Sequence, residues 1–178
     1  PRSEQIRSMR ANLLTLEVVP RSILLTSGSP NEGKTLLVVN LAAALAEGGS
    51  HQVLIVDGNL RNPGIAELVG GHSAPGLVDL LRGHVVDPLD VVQDIPTIPG
   101  VSLVPAGELP ESPGGLLVPA ALRRVLERVS DRYAFILVDS PAMDHYADAA
   151  VMAPETDGVL IVVQLEGPAR NAAERALD

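Results

Sequence analysis

Residues 27–35 read SGSPNEGKT and separate two apolar runs, ILLT before them and LLVVNLAAALA after them. They fit the pattern G-x-x-x-x-G-K-[ST] through Gly28, Gly33, Lys34 and Thr35. The apolar runs need a core to cover them, and the glycines allow the backbone to turn sharply between them. The stretch therefore predicts a strand, a tight loop and a helix in succession, which is a unit of a parallel α/β sheet.

This loop has the chemistry of a phosphate cradle. Its glycines let backbone N–H groups point at phosphate oxygens, and the N-terminal end of the following helix adds positive potential. Lys34 can reach the β- and γ-phosphates of a nucleotide, and the Thr35 hydroxyl can bind Mg²⁺. The alternative is an ordinary turn with a solvent-facing lysine, but Lys34 is the only lysine in an arginine-using chain. The predicted nucleotide contacts are Ser29, Pro30, Asn31, Glu32, Gly33, Lys34, Thr35 and Leu36.

Two later apolar runs end in aspartate, VLIVD at Asp57 and FILVD at Asp139. Because the carboxyl ends of parallel strands meet at the ligand-binding edge of a sheet, both carboxylates are expected beside the loop. Asp139 is predicted to bind Mg²⁺ directly or through water, and Asp57 to bind the metal or act as a base. The alternative is that each aspartate caps its strand or the next turn. The candidate catalytic residues are Lys34, Asp57 and Asp139, and the candidate metal ligands are Thr35, Asp57 and Asp139.

The alternation of strand and helix patterns predicts one domain over residues 1–178, with a mostly parallel sheet flanked by helices on both faces. Strands are predicted at 22–27, 51–57, 101–107, 134–139 and 158–164. Helices are predicted at 4–19, 34–47, 77–83, 119–131, 145–153 and 168–177. The segments richest in Pro and Gly, 58–76, 84–100 and 105–115, are expected to be loops. The chain starts at Pro1 and stops inside a predicted helix, so a C-terminal truncation is expected.

Charge and composition exclude several function classes. A net charge of −9 argues against binding to nucleic acid, which needs a basic surface to displace counterions. The chain has no cysteine, which excludes disulfides and thiolate metal sites. No apolar run reaches the roughly 18 residues of a transmembrane helix. The four histidines lack the spacing of a metal site; they are His51, His72, His84 and His145.

Five motifs in order along the chain resemble those of the bacterial tyrosine kinases. SGSPNEGKT is similar to their Walker A motif and lacks the second lysine of the MinD/ParA ATPases. VLIVDGNLRNP (53–63) resembles their Walker A′ motif, an apolar run followed by D-x-D-x-R, and FILVDSPA (135–142) resembles Walker B. VPAGELPESPGGLL (104–117) is similar to a further conserved stretch, and the N-terminal helix fits E-x-x-R-x-x-R through Glu4, Arg7 and Arg10.

The resemblance implies a P-loop kinase domain that transfers the γ-phosphate of ATP to tyrosines and regulates capsule or exopolysaccharide polymerisation and export. It implies ATP/ADP and Mg²⁺ as cofactors, and a cytoplasmic location at the inner face of the cell membrane. It also implies a homo-oligomeric ring through Glu4, Arg7 and Arg10, and an activating membrane segment that is fused or separate. Arg170 is expected to approach the adenine.

Two departures from this family keep other functions open. Asn59 stands at the second aspartate of the A′ pattern, and an amide cannot accept a proton from tyrosine. The chain ends before the position of the family's C-terminal tyrosine cluster, and it contains only Tyr133 and Tyr146. The alternatives are a MinD/ParA-like assembly ATPase and a catalytically weak nucleotide-binding regulator. Arg61 of the A′ pattern is expected to contact the nucleotide or a neighbouring carboxylate, or to be an exposed turn residue.

Overall fold

The computed structural model describes residues 2–144 and 146–163. Its helices are α1 (Arg2–Leu14), α2 (Lys34–Ala46), α3 (Ile65–Val69), α4 (Leu77–Arg82), α5 (Pro119–Val129) and α6 (Asp148–Met152). Its strands are β1 (Ser22–Ser27), β2 (Val53–Asp57), β3 (Gln93–Asp94), β4 (Val101–Val104), β5 (Phe135–Asp139) and β6 (Gly158–Val162). Among these residues, no helix is long and apolar enough to cross a membrane.

The six strands form one sheet in the order β3-β4-β2-β5-β1-β6. All neighbouring strands are parallel except β3, which pairs antiparallel with β4 at the edge. Strands β1, β2, β4 and β5 are buried along their whole length, as expected when helices cover both faces of a parallel sheet. The predicted α/β class is therefore confirmed.

Side chains of alternating strand positions feed two separate apolar cores, because successive residues of a strand point to opposite faces. On one face, strand residues such as Leu54 and Ile136 pack with helices α4, α5 and α6. On the other face, residues such as Ile55 and Leu137 pack with α2 and α3, and α1 covers this core from outside. The two cores hold the carboxyl ends of β1, β2 and β5 side by side.

Several predicted boundaries differ from the structure. The helix predicted at 4–19 ends at Leu14, where the Thr15 hydroxyl bonds the Asn12 carbonyl and Pro20 follows. The strand predicted at 101–107 ends at Val104, because Pro105 has no N–H to donate to the ladder. The loop predicted at 58–76 contains α3, and the irregular segment 84–100 contains a 3-10 turn and β3. The helix predicted at 168–177 lies outside the described residues.

Candidate functional site

The glycine-rich loop joins the end of β1 to the start of α2, as predicted. Gly33 has φ 86° and Asn31 φ 63°, and this left-handed backbone turns the chain directly into the helix that begins at Lys34. The loop is fixed from inside, since the Ser27 hydroxyl donates to the Ser29 carbonyl at 2.6 Å. The Ser29 N–H donates to Glu32 Oε2 at 3.0 Å, so a carboxylate already accepts from one donor of the loop.

Lys34 is 7% exposed, and its ammonium group donates to the Ser27 hydroxyl at 3.0 Å. The side chain therefore folds back over the loop toward the end of β1 and does not extend into solvent. This position excludes the alternative of a solvent-facing lysine on an ordinary turn.

Thr35 and Asp139 meet across the gap between α2 and β5. The Thr35 hydroxyl donates to Asp139 Oδ2 at 2.8 Å. Asp139 is fully buried, and its Oδ1 has no hydrogen-bond partner in the described part of the chain. Leaving a buried carboxylate oxygen without a hydrogen-bond partner costs free energy, so a bound cation here would be stabilising. A carboxylate and a hydroxyl side by side are also the oxygen ligands that Mg²⁺ prefers. The residues present therefore fit a bound Mg²⁺.

Asp57 lies opposite Asp139, since the two residues pair in the register of β2 and β5. Its carboxylate accepts three backbone N–H groups, from Asn59 at 3.3 Å and from Gly64 and Ile65 at 3.2 Å. Asp57 thus holds together the turn that follows β2. Each carboxylate oxygen has two lone pairs and Oδ1 accepts one of these bonds, so capacity remains for a further proton or cation.

Burial of this carboxylate pair raises both pKa values. Desolvation, together with the charge of Asp57, raises the pKa of Asp139 to about 7, although the Thr35 hydroxyl and Lys34 oppose the shift. Desolvation raises the pKa of Asp57 to about 6 against its three backbone hydrogen bonds. Two adjacent carboxylates that resist ionising together favour a divalent cation, which neutralises both.

Arg61 forms a bidentate ion pair with a residue that the sequence analysis did not single out. Its Nε donates to Asp148 Oδ2 at 2.9 Å, and its Nη2 donates to Asp148 Oδ1 at 3.1 Å. The bonds to Asp148 raise the pKa of Arg61. The guanidinium carbon lies 4.2 Å from the centre of the Tyr146 ring, within the range of a cation–π contact. Arg61 thus contacts a neighbouring carboxylate, one of the three expectations for it.

These elements enclose an open pocket of about 630 Å³. One wall, termed the loop side, consists of Pro30, Asn31, Gly33, Lys34, Thr35 and Leu36. A second wall, termed the arginine side, consists of Asn59, Arg61, Asn62, Leu68 and Tyr146. Ser29 and Glu32, also predicted to contact nucleotide, do not line this pocket and hydrogen-bond to one another. Arg170 lies outside the described residues.

Comparison with curated proteins relates the chain to tyrosine-protein kinases and to a transport protein of polysaccharide biosynthesis. No protein-family model matches it. It is 30% identical to the putative tyrosine-protein kinase EpsB of Ralstonia solanacearum, over 93% of this chain and 22% of that protein. It is 31% identical to the succinoglycan biosynthesis transport protein ExoP of Rhizobium meliloti, over 81% of this chain and 18% of that protein. Tyrosine-protein kinase CpsD of Streptococcus agalactiae is 28% identical, with 97% of this chain and 75% of that protein covered.

Solved structures agree with these relatives. The kinase domain of the Escherichia coli tyrosine kinase ETK superposes with a TM-score of 0.90 at 26% identity, covering 98% of this chain and 68% of that chain. The resemblance to bacterial tyrosine kinases is confirmed. The septum site-determining protein MinD of Pyrococcus horikoshii, complexed with Mg-ADP, is more distant, with a TM-score of 0.74 at 26% identity over 88% of this chain and 64% of that chain. The chain spans less than a quarter of EpsB and ExoP.

Asn59 is where the chain departs from the bacterial tyrosine kinase pattern, and the structure gives its amide a local role. Its Oδ1 accepts the Asn62 N–H at 3.3 Å, while its own N–H donates to Asp57. An amide oxygen can fulfil this turn-forming role as well as a carboxylate. It cannot accept a proton, so Asp57 is the remaining carboxylate of the A′ motif.

The E-x-x-R-x-x-R motif of the bacterial tyrosine kinases lies on α1, away from the pocket. Arg7 pairs with Glu47, just after α2, at 3.4 Å, and Arg10 pairs with the same carboxylate at 3.6 Å. Arg10 also donates to the Glu47 carbonyl at 3.5 Å. Glu4 is exposed. Within this chain, therefore, both arginines contact the end of α2.

Proposed function

We propose that this chain is an ATP-dependent protein-tyrosine kinase domain, a non-specific phosphotransferase that acts as an autokinase in the regulation of polysaccharide polymerisation and export. The observation that carries the proposal is the pocket itself. A lysine and a hydroxyl of the glycine-rich loop line it together with a cation and an aromatic ring. The hydroxyl donates to the buried Asp139, and the buried Asp57 lies beside Asp139.

In this proposal, Lys34 and the N–H groups of the loop bind the phosphates of ATP. Thr35 and Asp139 hold Mg²⁺, with Asp57 beside them, and the metal supplies charge neutralisation when bound. The acceptor phenol oxygen forms a bond to the γ-phosphorus while the bond between that phosphorus and ADP breaks. The phenolic proton passes to Asp57 or to water, because Asn59 cannot take it.

The relatives support a proposal for the biological setting. Several are named tyrosine-protein kinases, and one is named as a transport protein of succinoglycan biosynthesis. We place this domain at the inner face of the cell membrane, activated by a membrane segment that is fused to it or separate. Glu4, Arg7 and Arg10 are the proposed contacts of a homo-oligomeric ring, where Arg7 and Arg10 would exchange Glu47 for a neighbouring subunit. No nucleic acid is involved.

The second candidate is a nucleotide-binding regulator with little transfer activity. The observation that favours it is Asn59, which removes one proton acceptor and one negative charge from the A′ motif. Such a domain would bind ATP or ADP and signal its nucleotide state to a membrane partner. An assembly ATPase of the MinD/ParA type is less supported, because the loop lacks a second lysine.

The test is incubation with γ-labelled ATP, Mg²⁺ and a glutamate–tyrosine copolymer as acceptor. We would compare the chain with its Lys34→Met and Asn59→Asp variants, and with Arg132→Met as a control at an exposed arginine. Label on tyrosine that is lost only in Lys34→Met supports the kinase. Label that requires Asn59→Asp supports the regulator. Release of inorganic phosphate without label on any tyrosine, in the copolymer or in the chain itself, contradicts the kinase and supports an ATPase.

A further inference from the structure

Arg61, Asp148 and Tyr146 form a cluster at the arginine side whose arrangement is not explained by phosphate binding. Asp148 is 5% exposed and binds the Arg61 guanidinium through two hydrogen bonds of 2.9 and 3.1 Å. The Tyr146 ring lies over the same guanidinium at 4.2 Å. Asp148 therefore fixes the plane of the cation, and the tyrosine ring stacks on that cation.

The position of this cluster separates it from the nucleotide. The phosphate-binding groups are all on the loop side, and the metal-binding oxygens lie at the ends of α2, β2 and β5. Asp148 accepts two of the five N–H groups of Arg61, so the guanidinium is held in place on the arginine side with three donors remaining. The arginine side is therefore the part of the pocket left for a second molecule that binds beside the nucleotide.

The chemistry of that wall is specific. It combines a half-exposed aromatic ring, a positive charge held by Asp148 and the apolar side chain of Leu68, and Pro141 and Ala142 also line the pocket. Tyr146 is 41% exposed, whereas the other tyrosine, Tyr133, is 9% exposed and packs in the core. An aromatic acceptor can stack on such a wall, because aromatic rings pair with rings and with guanidinium planes. A serine or threonine acceptor would leave it unfilled.

We propose that Tyr146, held over Arg61 by Asp148, is a specificity-determining residue that selects tyrosine as the acceptor. This inference rests on the proposed kinase function. The acceptor ring packs against the Tyr146–Arg61 stack, so that its hydroxyl reaches the γ-phosphorus. When the phenol oxygen has bonded to that phosphorus and ADP has left, the new phosphate dianion lies near Arg61, whose charge stabilises the product.

The experiment measures steady-state kinetics with two peptides that differ only in a tyrosine or a serine acceptor. In Tyr146→Leu, the KM for the tyrosine peptide is expected to rise about tenfold while the KM for ATP changes less than twofold. The preference for tyrosine over serine falls with it. Tyr146→Phe keeps the ring and should restore most of the lost affinity. Arg61→Lys keeps the charge without the planar stack and should resemble Tyr146→Leu, with Arg124→Lys, at an exposed arginine, as the matched control.

Binding separates the failure of this inference from failure of the kinase proposal. The affinity of a fluorescent tyrosine peptide is measured on the chain loaded with a non-hydrolysable ATP analogue and Mg²⁺. If the peptide binds through Tyr146 but is not phosphorylated, the kinase proposal fails and the role of Tyr146 in binding the acceptor is supported. If transfer occurs and Tyr146→Leu leaves the KM for the peptide unchanged, that role of Tyr146 is excluded and the kinase proposal is supported. Phosphate found on Tyr146 itself would also overturn the inference, since the ring would then be an acceptor.

Discussion

The two walls of the pocket are built in opposite ways. The loop side comes from one stretch of chain, and the bonds that shape it, such as Ser27 to Ser29 and Ser29 to Glu32, join residues two or three apart. The arginine side comes from distant segments, and its central ion pair joins Arg61 to Asp148 across 87 positions. The loop side is thus formed by local backbone geometry, whereas the arginine side exists only once the whole sheet has assembled.

The largest expected effect is on the loop side. Lys34→Met should lower phosphotransfer by about a thousandfold or more, because the ammonium is lost where charge develops on the transferred phosphate. Its free energy of unfolding should change by less than about 1 kcal/mol, because the methionine chain can fill the same volume. Kinetics with labelled ATP and thermal unfolding measure the two quantities. A large loss of stability would show that Lys34 also stabilises the fold, and the proposed difference between the loop side and the arginine side would then be wrong.

The arginine side should respond in the reverse way. Asp148→Asn removes the charge that Arg61 pairs with inside the fold, and we expect a loss of about 2 kcal/mol in the free energy of unfolding. For a chain of this size, that lowers Tm by roughly 4–8 °C. Glu67→Gln, which removes a carboxylate from an exposed position on α3, should leave Tm unchanged. An equal Tm for Asp148→Asn and the wild type would contradict a structural role for the pair.

The carboxylates between the walls predict a pH dependence. Because the folded pKa values of Asp57 and Asp139, about 6 and 7, lie above the usual value of 3.8, the folded chain binds more protons than the unfolded chain between about pH 4 and 7. Stability without nucleotide or metal should therefore fall as pH rises through this range, by on the order of 1 kcal/mol or more.

Asp139→Asn should flatten this dependence, and its Tm at pH 8 should exceed that of the wild type while phosphotransfer is lost. Thermal unfolding from pH 5 to pH 8 in a chelating buffer measures the effect. Added Mg²⁺ with ATP should restore stability to the wild type at pH 8 and not to Asp139→Asn. If the Tm of the wild type rises with pH over this range, burial does not raise the pKa values of Asp57 and Asp139 as inferred.

The smallest expected effect lies outside both walls. Glu47→Ala removes the exposed ion pairs to Arg7 and Arg10, whose distances are 3.4 and 3.6 Å. Such pairs contribute about 0–1 kcal/mol, so Tm should shift by no more than a few degrees. The variant provides a baseline for the two walls. If Glu47→Ala also changes the oligomeric state seen by light scattering, α1 has a role between subunits as well.

The contrast between the walls also explains what could be predicted from the sequence. Gly33, Lys34 and Thr35 were predictable because their spacing encodes the loop, and Asp57 and Asp139 because each ends an apolar strand. The five predicted strands and their parallel arrangement follow the same logic. The sixth strand, β3, was not predicted, because its two residues pair antiparallel without any run of apolar residues. The class was clear from periodicity, although several helix and strand ends were not.

Asp148 could not be predicted in the same way. It lies in DHYADAA, where no strand end or motif marks it, and it meets Arg61 only through the packing of α6 beside the turn after β2. For Asn59, the sequence showed that a proton acceptor of the A′ pattern is replaced by an amide. Its hydrogen bond to the Asn62 N–H could not be predicted, because it depends on the geometry of a turn that no sequence pattern specifies.

The single lysine, buried against Ser27, also makes this chain unusual as a target for amine-reactive reagents. Any acyl or aryl label that forms on a side-chain amine of these 178 residues marks the phosphate cradle and nothing else. The extent of labelling at Lys34 then reports how far a bound ligand shields the cradle, without the background of other side-chain amines. Protection by a candidate nucleotide can be measured by mass spectrometry of the peptide that contains Lys34, which separates this label from one on the N-terminal amine.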